Sequence, residues 1–279
     1  MTIELFNQVS NECSRAVTIR YSTSFSSAIK LLHKDLRKPV FNIYGFVRFA
    51  DEIVDTFHNF EKAKLLKEFK AETFESIKRG ISLNPILNSF QQTVNQFNID
   101  HHLVHAFFKS MESDLTVNKY DRQGYEEYIY GSAEVVGLMC LYVFCEGDRF
   151  MYEKLKPHAR ALGAAFQKVN FLRDIQADFT GLSRIYFPGC DFKDFRASDK
   201  QVIEADIEAD FKKAYEGIVN LPLKARFGVY VAYKYYYSLF KKIKDIQPQL
   251  ILQQRVRVPD YHKAYIVFRA GVKNGLGLI

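Results

Sequence analysis

The chain has 279 residues, 48% of them hydrophobic, 15% aromatic and 25% charged, which supplies a sizeable core and excludes a disordered chain. Its net charge of +7 comes in short groups (KDLRK, KKIK, RVR) rather than one block. There is no zinc-finger spacing and no RNP-type signature, so nucleic acid is not an expected partner. Cys13, Cys140, Cys145 and Cys190 show no C-x-x-C, which points to free, packed thiols in a reducing compartment.

Helical periodicity runs along nearly the whole chain. The start, MTIELFNQVSNECSRAV, has an early acid and no apolar core, unlike a signal peptide. It leads into a first helix that reaches a polar break at YSTSF. KPVFNIYGFVRFADEIVDTF begins with Pro39 near an N-terminus and reads as a long helix. EKAKLLKEFKAETFESIKRG is amphipathic and ends at Gly80, a plausible C-terminal cap. NPILNSFQQTVNQFN and HHLVHAFFKSMESDLTV are two further helices. GYEEYIYGSAEVVGLMCLYVFCEG is apolar enough to be central. Its longest apolar run, VVGLMCLYVFC, is about half a bilayer span, so no transmembrane helix is expected. KPHARALGAAFQKVNFLRDIQADF is a long helix interrupted at Gly181, and RIYFPGCDFKDF reads as a loop. Three more helices follow, in DKQVIEADIEADFKKAYEGIVN, KARFGVYVAYKYYYSLFKKIK and near PDYHKAYIVFRAG. No strand pairs are evident. The expectation is one all-α domain over residues 1–279, with antiparallel helices and short connections.

Two helices carry acids where apolar residues would be expected. Residues three and four apart share a helix face, so Tyr44, Arg48, Asp51 and Asp55 form one stripe. Asp51 and Asp55 repel, by a few tenths of a kcal/mol when exposed and by more when desolvated. A bound cation offsets that cost. The pattern returns at Gln167, Asn170, Asp174 and Asp178, with Arg173 beside them. If the stripes face each other, they make an oxygen-lined cleft inside a bundle. Magnesium suits such a cleft, because it takes one or two carboxylates plus substrate phosphates. Arg48 and Arg173 would neutralise phosphate oxygens. The implied substrate is a diphosphate with an apolar remainder, and aromatic rings could stabilise a carbocation derived from it. Asp206 and Asp210 have the same spacing, but in a segment charged all round, and read as a solvated face.

These residues resemble the squalene/phytoene synthase family, the head-to-head trans-isoprenyl diphosphate synthases. YSTSFSSAIKLL, with Ser24 and Phe25 at its core, is similar to the family's N-terminal motif. IYGFVRFADEIVD resembles the first aspartate-rich motif and FQKVNFLRDIQAD the second. YIYGSAEVVG is similar to the Y-x-x-x-V-A-x-x-V-G segment, and RIYFP to the loop after the second motif. The N-x-x-R-D-x-x-x-D element from Asn170 to Asp178 is the most specific of these. The resemblance implies a single-domain helical bundle of the isoprenoid-synthase type with a central apolar cavity. It also implies two or three Mg2+ ions (Mn2+ as a substitute), held by Asp51, Asp55, Asn170, Asp174 and Asp178. Gln167 supports the second metal site and Arg48 and Arg173 contact diphosphate; Tyr128 of the central helix is expected among the catalytic residues, and Ala133 and Gly137 of that helix, with Ser24, Phe25, Tyr44, Tyr233 and Arg257, among those that bind substrate. The reaction implied begins with ionisation of one prenyl diphosphate to an allylic cation. That cation attacks the double bond of a second molecule to give a cyclopropylcarbinyl diphosphate, which ionises again and rearranges.

Departures from the family pattern touch cavity shape. The first motif is D-E-x-x-D, with Glu52 a quarter-turn from Asp51, and Ser132 and Glu134 stand where Val and a small residue are usual. A break near Gly131 either lets substrate approach the backbone or serves close helix packing. Tyr44 is either a core tyrosine or a substrate contact. Tyr230, Tyr233 and Tyr237 share one face that is either core or cavity. Asp114 aligns with a family acid, Arg257 with a basic residue near the diphosphates, and His101 and His105 have ligand spacing without a third ligand. The reading is condensation of two geranylgeranyl diphosphates to phytoene without NAD(P)H, with farnesyl diphosphate going to dehydrosqualene or squalene as the alternative. A terpene cyclase would show an N-S-E-type motif, absent here. A non-catalytic helical binding module would need no buried carboxylates. The expected location is cytoplasmic, with peripheral contact at the inner membrane surface because the product is oily. Monomer and homodimer both remain open.

Overall fold

The structure, a computed structural model, describes residues 2–181, 186–190, 195–252 and 255–277; the side chains of residues 177–181 and 260 are not described. Regular structure among the described residues is helical, without strands. Helix α1 (Ile3–Tyr21) stops at Ser22, whose hydroxyl accepts from the Phe25 amide at 3.2 Å and caps α2 (Thr23–Ile29). The polar break at YSTSF is this junction.

Helix α3 (Lys34–Asp55) begins five residues before Pro39, which lies inside the helix and not at its start. Buried Leu36, Val40 and Ile43 already form its apolar stripe, so packing carries the helix through the one hydrogen bond that Pro39 cannot donate. Helix α4 (Lys62–Arg79) ends as expected at Gly80, with φ 74°. Asn84 caps α5 (Pro85–Phe97) by accepting from the Ile86 and Leu87 amides, and Asp100 caps α6 (His101–Ser113).

The central helix is α7 (Arg122–Ile129), a π-helical turn (Tyr130–Glu134) and α8 (Val135–Cys145) in succession. Taken as one stretch, Arg122–Cys145 is long and apolar enough to cross a membrane, which the short unbroken apolar run did not suggest, but 56% of its most apolar window is buried in the bundle. Helix α9 (Arg149–Gly181) starts earlier than the periodicity indicated and runs through Pro157. After it come α10 (Ala197–Ile218), α11 (Leu223–Lys244), the short α12 (Pro248–Ile251) and α13 (Asp260–Gly275).

Helices α3 and α9 both pack on α8, and α1 and α5 back α3, while α10 and α11 back α9. Between α3, α5 and α6, Phe46 stacks on Phe90 at 3.8 Å and meets Phe107 and Phe108. Much of the aromatic content is therefore core. Gly131 resolves in favour of packing: a Cβ there would lie 2.5 Å from the Ala106 carbonyl oxygen of α6. Gly163 is equally tight, 2.7 Å from the Ala133 carbonyl oxygen. The acidic pair of α10 is not freely solvated either. The buried Lys168 ammonium of α9 donates to Asp206 at 2.6 Å and Asp210 at 2.7 Å.

Candidate active site

A cavity of about 290 Å3 lies between α2, α3, the π turn with α8, α9, α10 and α11. Helix α9 lines it with Leu155, Ala159, Leu162, Phe166 and Asn170, the face a helix repeat selects. Helix α3 faces it with Val40, Ile43, Tyr44, Val47 and Asp51. One end is therefore polar, where Tyr44 and Asp51 meet Gln167 and Asn170. Mostly apolar side chains line the rest, Phe25, Phe144 and Phe166 among them, with Ser132 and His158 as polar exceptions; His158 Nδ1 lies 2.8 Å from the Lys213 carbonyl. The cavity thus brings together two residues from each stripe, Asp51 and Gln167 being 116 residues apart in sequence.

At the polar end, charges of one sign crowd together. Burial raises Asp51 to about 7, and the neighbouring Asp55, Asp114 and Glu52 add to the rise, while Arg48 opposes it. The Arg48 guanidinium lies 3.8 Å from Asp51, pairs with Glu52 and covers the Tyr21 ring at 4.6 Å. Glu52, the departure in the first motif, thus orients the arginine. Asp114 is buried and accepts from the Tyr128 hydroxyl at 2.9 Å. Tyr128 lies behind that acid rather than on the cavity wall, and burial followed by Asp114 pushes it well above the ordinary tyrosine range.

Across the cavity, Arg173 Nε lies 3.1 Å from both oxygens of Asp174. Arg255 reaches the same carboxylate at 2.7 Å from beyond α12. Arg257, the basic residue singled out from the sequence, is exposed, and it is its carbonyl that is engaged, by Lys242. A two-residue displacement within RVRV separates the residue that reaches the site from the one expected to. The Tyr236 hydroxyl bonds both Asn170 and Arg173, and its ring stacks on Phe166 at 4.0 Å. Sequence reading missed Tyr236 because it lies off the face shared by Tyr230, Tyr233 and Tyr237.

Tyr233 is not at the cavity. It packs between α10 and α11, 5.5 Å from Phe211 and 5.7 Å from Tyr237. Phe25 does line the cavity, 5.3 Å from Tyr44 and 5.9 Å from Phe166. Ser24 does not line it; Ser22 is the serine that reaches the site, bonding the Tyr44 hydroxyl. Burial raises Tyr44 to about 12. Ala133 and Gly137 line the cavity. His101 and His105 are exposed, and His105 stacks on Phe74. The Asp178 side chain and Arg184 lie outside the described residues.

Among the described residues no three or more His, Cys, Asp or Glu side chains already form a metal cage. The donors nevertheless fit a hard divalent cation. Asp51 sits among three further carboxylates with one adjacent arginine, and the buried Asn170 Oδ1 has no hydrogen-bond partner while its amide is held by Tyr236.

An all-α bundle whose apolar cavity ends in opposed carboxylate and amide stripes defines an isoprenoid-synthase architecture. Residues 18–262 match the squalene/phytoene synthase family, and the chain belongs to it. A phytoene synthase of Arthrospira platensis is 26% identical over 91% of this chain and 90% of its own length. The 4,4'-diapophytoene synthase of Staphylococcus haemolyticus is 26% identical over 68% of this chain and 66% of its own. A presqualene diphosphate synthase of Rhodopseudomonas palustris is 27% identical over 67% of each. In fold, the chain is similar to a dehydrosqualene synthase (TM-score 0.81, 20% identity, 98% of both chains). It is also similar to a squalene synthase of Alicyclobacillus acidocaldarius (TM-score 0.75, 20% identity, 88% of this chain and 95% of that one). The resemblance read from the motifs and the helical fold both hold, and members of this family are prenyltransferases.

Proposed function

We propose that this protein joins two geranylgeranyl diphosphates head to head to give phytoene, releasing diphosphate. The observation that carries the reading is the meeting of Tyr44 and Asp51 of one polar stripe with Gln167 and Asn170 of the other at one end of an apolar cavity. Divalent metal, when bound, supplies the positive charge that lets diphosphate leave. Asp51, Asp55, Asn170, Asp174 and Asp178 are the residues that would hold it. Arg48, Arg173 and Arg255 would contact phosphate oxygens, and Asp174, which pairs with Arg173 and Arg255, would offer its carboxylate to the ion. Phe25, Tyr44 and Phe166 present ring faces beside the point of ionisation, where an allylic cation gains from them and water is excluded. Attack by the double bond of the second substrate leaves a tertiary cation, and loss of a proton to the departed diphosphate closes the ring of the cyclopropylcarbinyl diphosphate; its ionisation, rearrangement and loss of a second proton give the neutral hydrocarbon.

Cavity depth supports the longer chain. From Asn170 to Leu155 the lining of α9 extends fifteen residues, about 22 Å. An extended geranylgeranyl main chain, about fifteen carbon–carbon bonds of roughly 1.5 Å that zigzag to advance roughly 1.25 Å each, needs about 19 Å. Similarity to a diapophytoene synthase keeps farnesyl diphosphate as the second reading. Incubation with each diphosphate separately, with magnesium and product analysis, decides between them. A C40 hydrocarbon from geranylgeranyl diphosphate is expected, and a C30 product alone would replace it with the farnesyl reading. Asp174→Ala is expected to lower turnover by about 1,000-fold or more with an unchanged circular dichroism spectrum; full activity in that variant would remove the assignment. Peripheral contact with a membrane at the cytoplasmic face belongs to the same proposal, since substrate and product are both greasy.

A further inference from the structure

Charge is unevenly distributed along this chain. Residues 221–279 contain eleven Lys and Arg against only Asp245 and Asp260. Because the whole chain has 39 Lys and Arg against 32 acids, residues 1–220 have 28 against 30 and are slightly acidic. All of the net positive charge therefore belongs to the C-terminal segment. In three dimensions it converges: Lys234, Lys241, Lys242, Arg269 and Lys273 line one shallow groove between α11 and α13. Burial, and then Lys273, Lys241 and Arg269, lower Lys234 below the ordinary lysine range.

Beside these cations lies an uncovered apolar stripe. Tyr261, Tyr265, Phe268, Val272 and Leu276 are 78%, 53%, 69%, 48% and 67% exposed. Spacings of four, three and four place the first four within about 60° of arc on α13, and Leu276 caps its C-terminus. The opposite side of α13 packs on the protein through Ala270 and partly buried Ile266 and Val267. Asp260 is the one acid that α13 contains.

We infer that this α11–α13 face docks on an anionic lipid bilayer, the α13 stripe entering the boundary between headgroups and acyl chains while the flanking cations pair with lipid phosphates. It locates the membrane contact proposed above and does not depend on the catalytic assignment. A nucleic acid would use the cations but has no place for five apolar side chains. A second copy of the chain would bring the same cations against themselves. The inner face of α11 lines the cavity through Gly228, Val229 and Ala232.

The chain has no tryptophan, so Phe268→Trp carries a single reporter into the stripe. Its emission is expected to shift to the blue on addition of phosphatidylglycerol-containing vesicles and not with phosphatidylcholine vesicles alone. In co-sedimentation, the wild type is expected to bind the anionic vesicles and to be released by high salt. Tyr265→Ser with Phe268→Ser, and separately Lys241→Glu with Lys273→Glu, should each reduce binding by roughly tenfold or more, with unchanged melting temperature and diphosphate release. Three results would overturn the inference: an unshifted emission spectrum, vesicle binding that both double variants leave intact, or a dimer in sedimentation velocity that the stripe variants dissociate. Failure of the wild type to release diphosphate would remove the catalytic reading and leave this one standing.

Discussion

Asp51 faces the cavity among Asp55, Asp114 and Glu52, and its ordinary ionisation becomes costly there. Its carboxyl rises from 3.8 to about 7, so the folded protein holds a proton that the unfolded chain has released. Stability from this group is complete below about pH 4 and is lost as pH climbs through 7. Above pH 7 the metal-free protein bears an ill-matched charge that a divalent ion would neutralise. Asp51→Asn is therefore expected to raise the melting temperature of metal-free protein at pH 8, by about 2–4 °C for each kcal/mol relieved. The gain should vanish near pH 4. Magnesium should stabilise the wild type more at pH 8 than at pH 6, and the variant less at either pH. Differential scanning fluorimetry across that range measures all of this. The two acidic stripes, the two arginines and Asn170 were legible as residues. Tyr236 and Arg255 were not, because each owes its role to which way α11 faces and to how the chain returns after α12.

At the scale of elements, pattern was reliable where one helix decides its own ends and less so where neighbours do. Gly80 acts through its own backbone, and Asn84 and Asp100 through side chains that reach amides two or three residues on, so the helix limits agree with the periodic segments there. Pro39 and Pro157 lie inside helices because packing outweighs one missing donor. The α10 acids looked like a solvated face, since nothing local shows that Lys168 projects between them. Lys168→Ala leaves two carboxylates beside a vacated site. It should cost toward the low end of about 3–5 kcal/mol, because Asp206 is 41% exposed. Lys168→Ala with Asp206→Asn and Asp210→Asn should recover much of that loss. Urea unfolding of the single and triple variants tests the pair.

For the whole molecule, buried residues from α2 through α13 form one contiguous hydrophobic cluster. A single domain over residues 1–279 remains the reading, and it predicts one cooperative thermal transition. Far-ultraviolet circular dichroism and tyrosine fluorescence should then have coincident midpoints, and separate midpoints would indicate independent units.

Local order by itself determined the helices, the two polar stripes within them and the motifs that resemble squalene/phytoene synthases, because helical repeat and capping act over a few residues. Tertiary structure alone decided that Asp51 and Asn170 share a cavity, that Arg255 rather than Arg257 reaches Asp174, that Tyr233 belongs to the core, and that the scattered cations of α11 and α13 form one surface. Each of these is a meeting of residues far apart in the chain, fixed by how whole helices pack, and no short window of sequence contains it.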